Sequence, residues 1–141
     1  MPKIQFFSEG VSFRLSNQRK IISWIKKVIQ TEGLELTSLN YVFCSDEYLL
    51  ILNRQYLNHT TYTDIITFDN RDNESAPIEG DIFISIERVE ENSLKFKTTF
   101  ERELNRVIIH GVLHLVGYSD KSQGKKALMR KKEDTYLSLL A

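Results

Sequence analysis

Cysteine is almost absent from this chain, and neither sign of charge is in excess. Cys44 is the single cysteine among 141 residues, so no disulfide can form within the chain. That suits a reducing compartment, and we expect a cytoplasmic protein. Lysine plus arginine and aspartate plus glutamate each number 19, so any nucleic-acid surface must be local. No apolar run approaches the roughly 20 residues of a membrane span, and no secretory signal pattern is visible.

The length and the hydrophobic pattern predict a single α/β (α+β) domain over residues 1–141. A chain of this size can bury a core without disulfides. Short apolar or alternating runs predict strands at 4–7 and 11–15, paired as a hairpin around Glu9 and Gly10, and at 40–44, 63–68 and 81–86. These runs predict a small mixed sheet of about four strands, packed with helices.

Helix signals lie between and after these strands. Ser16 or Asn17 can cap a first helix that Gly33 ends, and Ser45 can cap a second. The last predicted helix spans about 122–140. Another predicted helix precedes it and contains two histidines.

That helix is predicted to begin at a capping box and to end at a glycine. Thr98 and Glu101 have the spacing of the box. The helical pattern continues to about Val116, and Gly117 follows it. We therefore expect one long helix that carries two of the three histidines of the chain.

Those two histidines are four residues apart and so lie on one face of the helix. His110 and His114 can each give one nitrogen to the same metal ion. Beyond Gly117 the chain can fold back and bring the Asp120 carboxylate to that ion. The pattern H-x-x-x-H-x-x-G-x-x-D has the spacing of the extended zinc-protease motif, so it predicts a zincin-like metal-binding helix that holds one Zn²⁺. The structural alternative is two histidines bonded to backbone groups, with Asp120 as a plain turn residue.

Gly111 occupies the position at which zinc proteases carry their general-base glutamate. A glycine there supplies no carboxylate, which argues against peptide hydrolysis. Glycine inside a helix also costs about 1 kcal/mol relative to alanine. We expect a close approach at Gly111, by a substrate or by the packed sheet.

Three protein ligands leave a coordination position open, as in catalytic rather than structural zinc sites. An ion held in this way acidifies a bound water and polarises a phosphoryl or carbonyl oxygen. The general base stays unassigned among three carboxylates, Asp64, Asp81 and Glu103. Water on the metal can also act without a separate base.

A run of basic residues follows the predicted ligands. It has two interpretations, a phosphate-binding surface and a solvated helix face. Its members are Lys121, Lys125, Lys126, Arg130, Lys131 and Lys132. Their closeness to the predicted metal site raises the RNA-binding interpretation to equal standing.

Four segments together resemble the YbeY family of bacterial endoribonucleases. They are HGVLHLVGYSD (110–120), TDIITF (63–68), Leu52-Asn53 and Gly80-Asp81-Ile82. The resemblance covers nearly the whole chain and implies a zinc-dependent endoribonuclease specific for single-stranded RNA. It also implies a role in 3′-end maturation of small-subunit ribosomal RNA and in ribosome quality control, so the small ribosomal subunit is an expected partner.

The chain departs from the family pattern at two positions. Most members have histidine at the position of Asp120, and the aspartate adds negative charge that can widen the choice of divalent metal beyond zinc. The family often has an arginine just after the aromatic residue that corresponds to Tyr56, and here Leu57 follows it. Neither Arg54 nor His59 is assigned as its replacement.

Three other functions compete with the endoribonuclease. The first is a metalloprotease-like hydrolase with a different base. The second is a ribosome-assembly factor without enzymatic activity, in which the metal is structural. The third is an iron oxygenase with two histidines and one carboxylate as ligands, which is disfavoured because the sequence shows no clamp for a 2-oxo acid.

Overall fold

The computed structural model describes residues 2–140, which form four strands and five helices. In chain order the elements are β1 (Lys3–Glu9), α1 (Gln18–Thr31), β2 (Leu36–Cys44), α2 (Asp46–Leu57), β3 (Ile65–Asp69), β4 (Ile78–Ser85), α3 (Ile86–Lys95), α4 (Phe100–Val116) and α5 (Gln123–Leu140). None of these helices is long and apolar enough to cross a membrane.

The four strands form one mixed sheet in the order β1-β2-β4-β3. Strands β1, β2 and β4 run parallel, and β3 pairs with β4 in the antiparallel sense. The predicted α/β class with a four-stranded mixed sheet is therefore confirmed.

Helices cover both faces of this sheet, and alternation along β4 separates the two environments. Gly80 and Ile82 face α4, where a Cβ on Gly80 would lie 2.7 Å from the Phe68 carbonyl oxygen and 3.2 Å from Leu115. Phe83 faces the other way and stacks on Tyr48 of α2. The glycine in the Gly80-Asp81-Ile82 segment is thus favoured by the close approach of the Phe68 carbonyl on β3 and of Leu115 on α4.

The main core lies between the α4 face of the sheet and helices α1, α4 and α5. Two buried polar contacts fix the helices in place. The Trp24 indole donates to the Tyr136 carbonyl at 2.8 Å, and the Tyr41 hydroxyl donates to the Ile108 carbonyl at 3.0 Å. The helix that carries the histidines is therefore held to both the sheet and its helical neighbours.

The predicted hairpin at 4–7 and 11–15 is wrong. Strand β1 pairs with β2, and residues 11–15 are not a strand. Phe13 and Leu15 are instead packed against or within the core, and the Ser8 hydroxyl donates to the Phe13 carbonyl. The apolar alternation of residues 11–15 correctly indicated burial. This segment is held to β1 by the Ser8 hydrogen bond rather than by strand pairing.

Helix α3 was not predicted, and the start of α4 was misplaced by one residue. Ser85 caps α3 by accepting from the Arg88 amide at 3.1 Å. The N-cap of α4 is Thr99, whose hydroxyl accepts from the Arg102 amide at 3.1 Å, so the Thr98 capping box does not form. Helix α3 was overlooked because most of its residues are polar, with Val89 and Ser93 as its buried positions. The start of α4 differs because Thr98 and Thr99 are adjacent, and either hydroxyl can cap a helix.

Candidate metal centre

The end of α4 shapes the site. Gly117 has φ of 124°, a conformation that favours glycine. Its amide reaches the Leu113 and His114 carbonyls at 3.1 Å, and the Tyr118 amide reaches the Leu113 carbonyl at 2.9 Å. These bonds end the helix and turn the chain back, so that Asp120 lies beside the last two turns.

The three predicted ligands are brought together. Nε2 of His110 and Nε2 of His114 each lie 3.6 Å from Oδ2 of Asp120. One donor atom from each residue fits within a mutual distance of 4.8 Å. The two 3.6 Å separations suit an ion bound at about 2.0–2.2 Å from the Asp120 carboxylate and from an imidazole nitrogen, as zinc is by carboxylate and histidine. Two imidazoles and one carboxylate therefore fit a divalent metal with an open coordination position.

The protonation state of His114 favours this use. Burial lowers the pKa of His114, and the neighbouring His110 lowers it further, against opposing effects of Asp120 and of the Tyr118 backbone. A metal ligand must be the neutral imidazole. The site thus keeps an available nitrogen lone pair at His114.

A buried ionic cluster lies behind His110. Nδ1 of His110 is 2.5 Å from Oε2 of Glu133 on α5, and the other Glu133 oxygen is 3.2 Å from Arg106. Arg106 also binds both oxygens of Glu103, at 2.5 and 3.0 Å. Glu103 and Glu133 are each only 2% exposed. The sequence contains no signal for Glu133, because this residue stands there only as the acidic residue that follows the basic run.

A second polar cluster holds the loop that carries Asp120. Glu32, at the end of α1, accepts from the Tyr118 hydroxyl at 2.8 Å and lies 3.3 Å from the Lys132 ammonium. The Tyr136 hydroxyl also donates to it. Burial alone would raise the pKa of Glu32, but the hydrogen bonds from Tyr136, Tyr118 and Lys132 outweigh it and lower the pKa. The loop is therefore tied to α1 and α5 together.

The three candidate carboxylates occupy different environments. Glu103 is buried against Arg106 rather than facing solvent. Asp81 projects from β4 toward the face opposite α4, where it accepts from Asn40 and Asn70 at 3.0 Å. Asp64 lies 3.9 Å from Arg106. Burial raises the pKa of Asp64, partly offset by the positive charges of Arg106 and His110.

Gly111 packs against the sheet. A Cβ there would lie 2.8 Å from Cδ1 of Ile82 and 3.0 Å from Cδ1 of Ile65. A side chain here would press on both isoleucines, so the position where zinc proteases carry their base is packed against the sheet.

The basic residues of the α5 region divide into two groups. Lys121, Lys125, Lys126, Arg130 and Lys131 are exposed. Lys132 is half-buried and is engaged by Glu32, with its ammonium 5.4 Å from the Tyr118 ring centroid. Lys132 therefore has a structural role that the sequence pattern did not distinguish.

In the Leu52-Asn53 segment, Asn53 anchors the loop that follows α2. Asn53 is buried, and its amide donates to the Thr61 carbonyl at 2.8 Å. Arg54 and Leu57 on α2, and His59 beyond it, are exposed. The structure brings none of these three into the metal-ligand group.

The chain is similar to known proteins over nearly its whole length. A family model described as Endoribonuclease YbeY matches residues 4–141. Proteins named Endoribonuclease YbeY from Cytophaga hutchinsonii and Karelsulcia muelleri are 49% and 50% identical to this chain, over 136 and 137 residues. The alignments cover 96% and 97% of this chain and 94% and 95% of those proteins.

A solved structure shares the fold. The solution structure of a Thermotoga maritima protein matches this chain with a TM-score of 0.67 at 27% sequence identity. The match covers 97% of this chain and 88% of that chain. The architecture described above is therefore present in a protein whose structure was solved independently.

Proposed function

Because the chain belongs to the Endoribonuclease YbeY family, we propose that it is a metal-dependent endoribonuclease that cleaves single-stranded RNA. Its cellular substrate is ribosomal RNA, and its role is 3′-end maturation of small-subunit ribosomal RNA and ribosome quality control. The small ribosomal subunit is the partner that this role requires.

The juxtaposition of His110, His114 and Asp120 carries the proposal. Their donor atoms lie within 4.8 Å of one another, at the end of a helix that is fixed to the sheet. These three residues would hold a zinc ion, and the carboxylate also accommodates other divalent metals. When bound, such an ion supplies Lewis acidity to a phosphoryl oxygen and lowers the pKa of water.

The chain itself contributes orientation and charge. The exposed cations Lys121, Lys125 and Lys126 follow the ligands and can bind RNA phosphates. Arg130 is also exposed, and its guanidinium lies 3.9 Å from Glu133. Gly111 leaves no side chain beside His110 on the sheet side, so phosphodiester chemistry here does not use a protease-type glutamate. Asp64, beside Arg106, stays a predicted proton acceptor.

The test is cleavage of an unstructured RNA by the zinc-loaded protein, with casein as the competing substrate. We expect RNA fragments that a chelator abolishes, and intact casein. A His110→Ala/His114→Ala double variant should leave the RNA intact. His59→Ala is the matched control, because His59 is exposed and lies outside the metal-ligand group.

Three results would contradict the proposal. Equal fragmentation by the double variant would trace the activity to a contaminating nuclease. Casein cleavage without RNA cleavage would favour the metalloprotease-like hydrolase. One tightly held metal per chain without any hydrolysis would favour the assembly factor with a structural metal.

A further inference from the structure

We propose that Glu133 is a positioning residue, which holds the His110 imidazole in the tautomer and orientation that metal binding requires. Arg106 in turn holds Glu133. This inference rests on the metal site proposed above and assigns a role to a residue outside its three ligands.

The two nitrogens of the His110 ring have different partners. Nδ1 is 2.5 Å from Oε2 of Glu133, whereas Nε2 is the atom 3.6 Å from Asp120. A carboxylate can only accept, so Nδ1 carries the proton and donates it to Glu133. The lone pair then remains on Nε2, the nitrogen that faces His114 and Asp120. Histidine ligands of metals are commonly fixed in this way by a carboxylate.

The contact between Glu133 and His110 is shielded from solvent. The Glu133 side chain is 2% exposed and the His110 side chain 15% exposed, so water competes little for either group. Glu133 comes from α5, whereas His110 and His114 come from α4. The ring is thus held from one side by a separate helix while its other nitrogen faces the ligand group.

Arg106 holds the Glu133 carboxylate in place. Its guanidinium is 3.2 Å from Oε1 of Glu133, the oxygen that does not face His110. Each oxygen of Glu133 therefore has its own partner, and the carboxylate has little freedom to rotate.

Glu103 provides a matched control. It is as buried as Glu133 and binds the same guanidinium at 2.5 Å, yet it makes no hydrogen bond with His110. A purely structural ionic cluster predicts the same effect from loss of either carboxylate. A positioning role predicts an effect on metal binding from Glu133 alone.

The experiment compares the parent with Glu133→Gln, Glu133→Ala and Glu103→Gln. Zinc dissociation constants are measured by competition with a chelator, and folding is checked by circular dichroism. Loss of an outer hydrogen-bond partner typically weakens metal binding by about 10- to 100-fold. We expect a loss in this range for Glu133→Ala and a smaller one for Glu133→Gln, whose oxygen still accepts. Glu103→Gln should stay within about twofold of the parent.

Nitrogen-15 spectra of the imidazole rings give a readout independent of activity. The chain has only three histidines, so the His110 ring can be assigned directly. In metal-free and zinc-loaded parent protein we expect a slowly exchanging Nδ1 proton, which Glu133→Ala should lose and Glu103→Gln should keep.

The inference is overturned if Glu133→Ala binds zinc as tightly as the parent, or if its His110 proton is unchanged. It is also overturned if Glu103→Gln weakens zinc binding as much as Glu133→Gln does. A failure of the proposed function differs from all of these, because the parent itself would then neither bind zinc nor cleave RNA. The metal-free ring spectrum tests the Glu133 contact in that case too.

Discussion

Among the single residues of the proposed metal site, Asp120 is the most informative. It comes six residues after His114 and reaches the same donor group only because Gly117 turns the chain back. Its side chain is shorter than that of histidine. The loop must therefore lie close to the two rings, as the 3.6 Å separations show.

We predict that Asp120→Ala weakens zinc binding by more than the roughly 10- to 100-fold that loss of an outer hydrogen-bond partner costs. The reason is that one of three protein donors disappears. Asp120→Asn keeps an oxygen without the charge and should bind with intermediate affinity. Asp120→His should retain zinc, and the loss of one negative charge at the site should lower the pKa of bound water. Metal stoichiometry and dissociation constants across these proteins provide the measurement.

Asp134→Ala serves as the control, since Asp134 is an exposed carboxylate on α5 and lies outside the ligand group. Unchanged zinc affinity in Asp120→Ala would show that the third donor comes from elsewhere in the chain.

The clustering of His110, His114 and Asp120 could be predicted from sequence because helical spacing and a glycine stop are local signals. Glu133 could not, because it follows His110 by 23 residues and lies on a different helix. Its neighbours in sequence are basic, so the pattern indicated only a charged surface. Contacts of this kind depend on how α4 and α5 pack, which no short motif records.

Helix α4 both packs on the sheet and carries two of the proposed metal ligands. One face carries His110 and His114, while Gly111 brings another face close to β3 and β4. Periodicity and the glycine stop identified this helix, whereas α3 was missed because its sequence is mostly polar. Strand alternation likewise revealed that 11–15 is apolar on one side but could not tell strand from packed loop.

We predict that Gly111→Ala lowers the free energy of unfolding by about 1 kcal/mol. Alanine gains up to about 1 kcal/mol of helix propensity, but overpacking against buried Ile82 typically costs about 1–3 kcal/mol. Urea denaturation of the metal-free protein provides the measurement. In Gly124→Ala, the new Cβ meets nothing within 4 Å, so this control should be neutral or slightly stabilising. Equal stabilisation by both substitutions would contradict tight packing at Gly111.

Helix α5 has two different faces, because it buries Glu133 while exposing most of its lysines. We predict that Lys125→Gln/Lys126→Gln reduces the salt dependence of RNA binding. Each lost phosphate contact changes the log–log slope by about 0.7 on single strands, so the pair should change it by about 1.4. Binding is measured with chelator-treated protein, in which RNA is not cleaved.

Lys26→Gln/Lys27→Gln is the charge-matched control, since both residues are exposed on α1. Should both double variants shift the slope equally, the basic segment of α5 would be no more than a solvated face.

At the scale of the whole molecule, Glu32 connects three distant parts of the chain. It joins the end of α1 to Tyr118 in the ligand loop and to Lys132 and Tyr136 on α5. Its folded-state pKa lies below the ordinary value of 4.5. The carboxylate therefore stabilises the fold when it is ionised.

We predict that Glu32→Gln lowers the free energy of unfolding at neutral pH by about 1.5–3 kcal/mol, the usual range for hydrogen bonds to a charged group. A depressed folded-state pKa gives stability that is present above the unfolded value and is lost as the pH falls through the folded one. The difference between variant and parent should therefore shrink as the pH drops below 4.5, the ordinary value. Denaturation at a series of pH values tests this.

Glu35→Gln is the control, because Glu35 is exposed and its carboxylate makes no described hydrogen bond among residues 2–140. A constant gap between Glu32→Gln and the parent across the acid range would place the stabilising contribution elsewhere.

The hydrogen bond between Glu133 and His110 also bears on how the protein is made. Synthesis proceeds from the N-terminus, so His110, His114 and Asp120 are all in place before α5 is translated. A chain that stops at that point has the three donors but lacks the carboxylate that fixes the His110 ring, and it lacks Lys132 and Tyr136 for the ligand loop. On the proposed role of Glu133, a chain that lacks α5 binds the metal weakly, and the complete site forms only once α5 has been added.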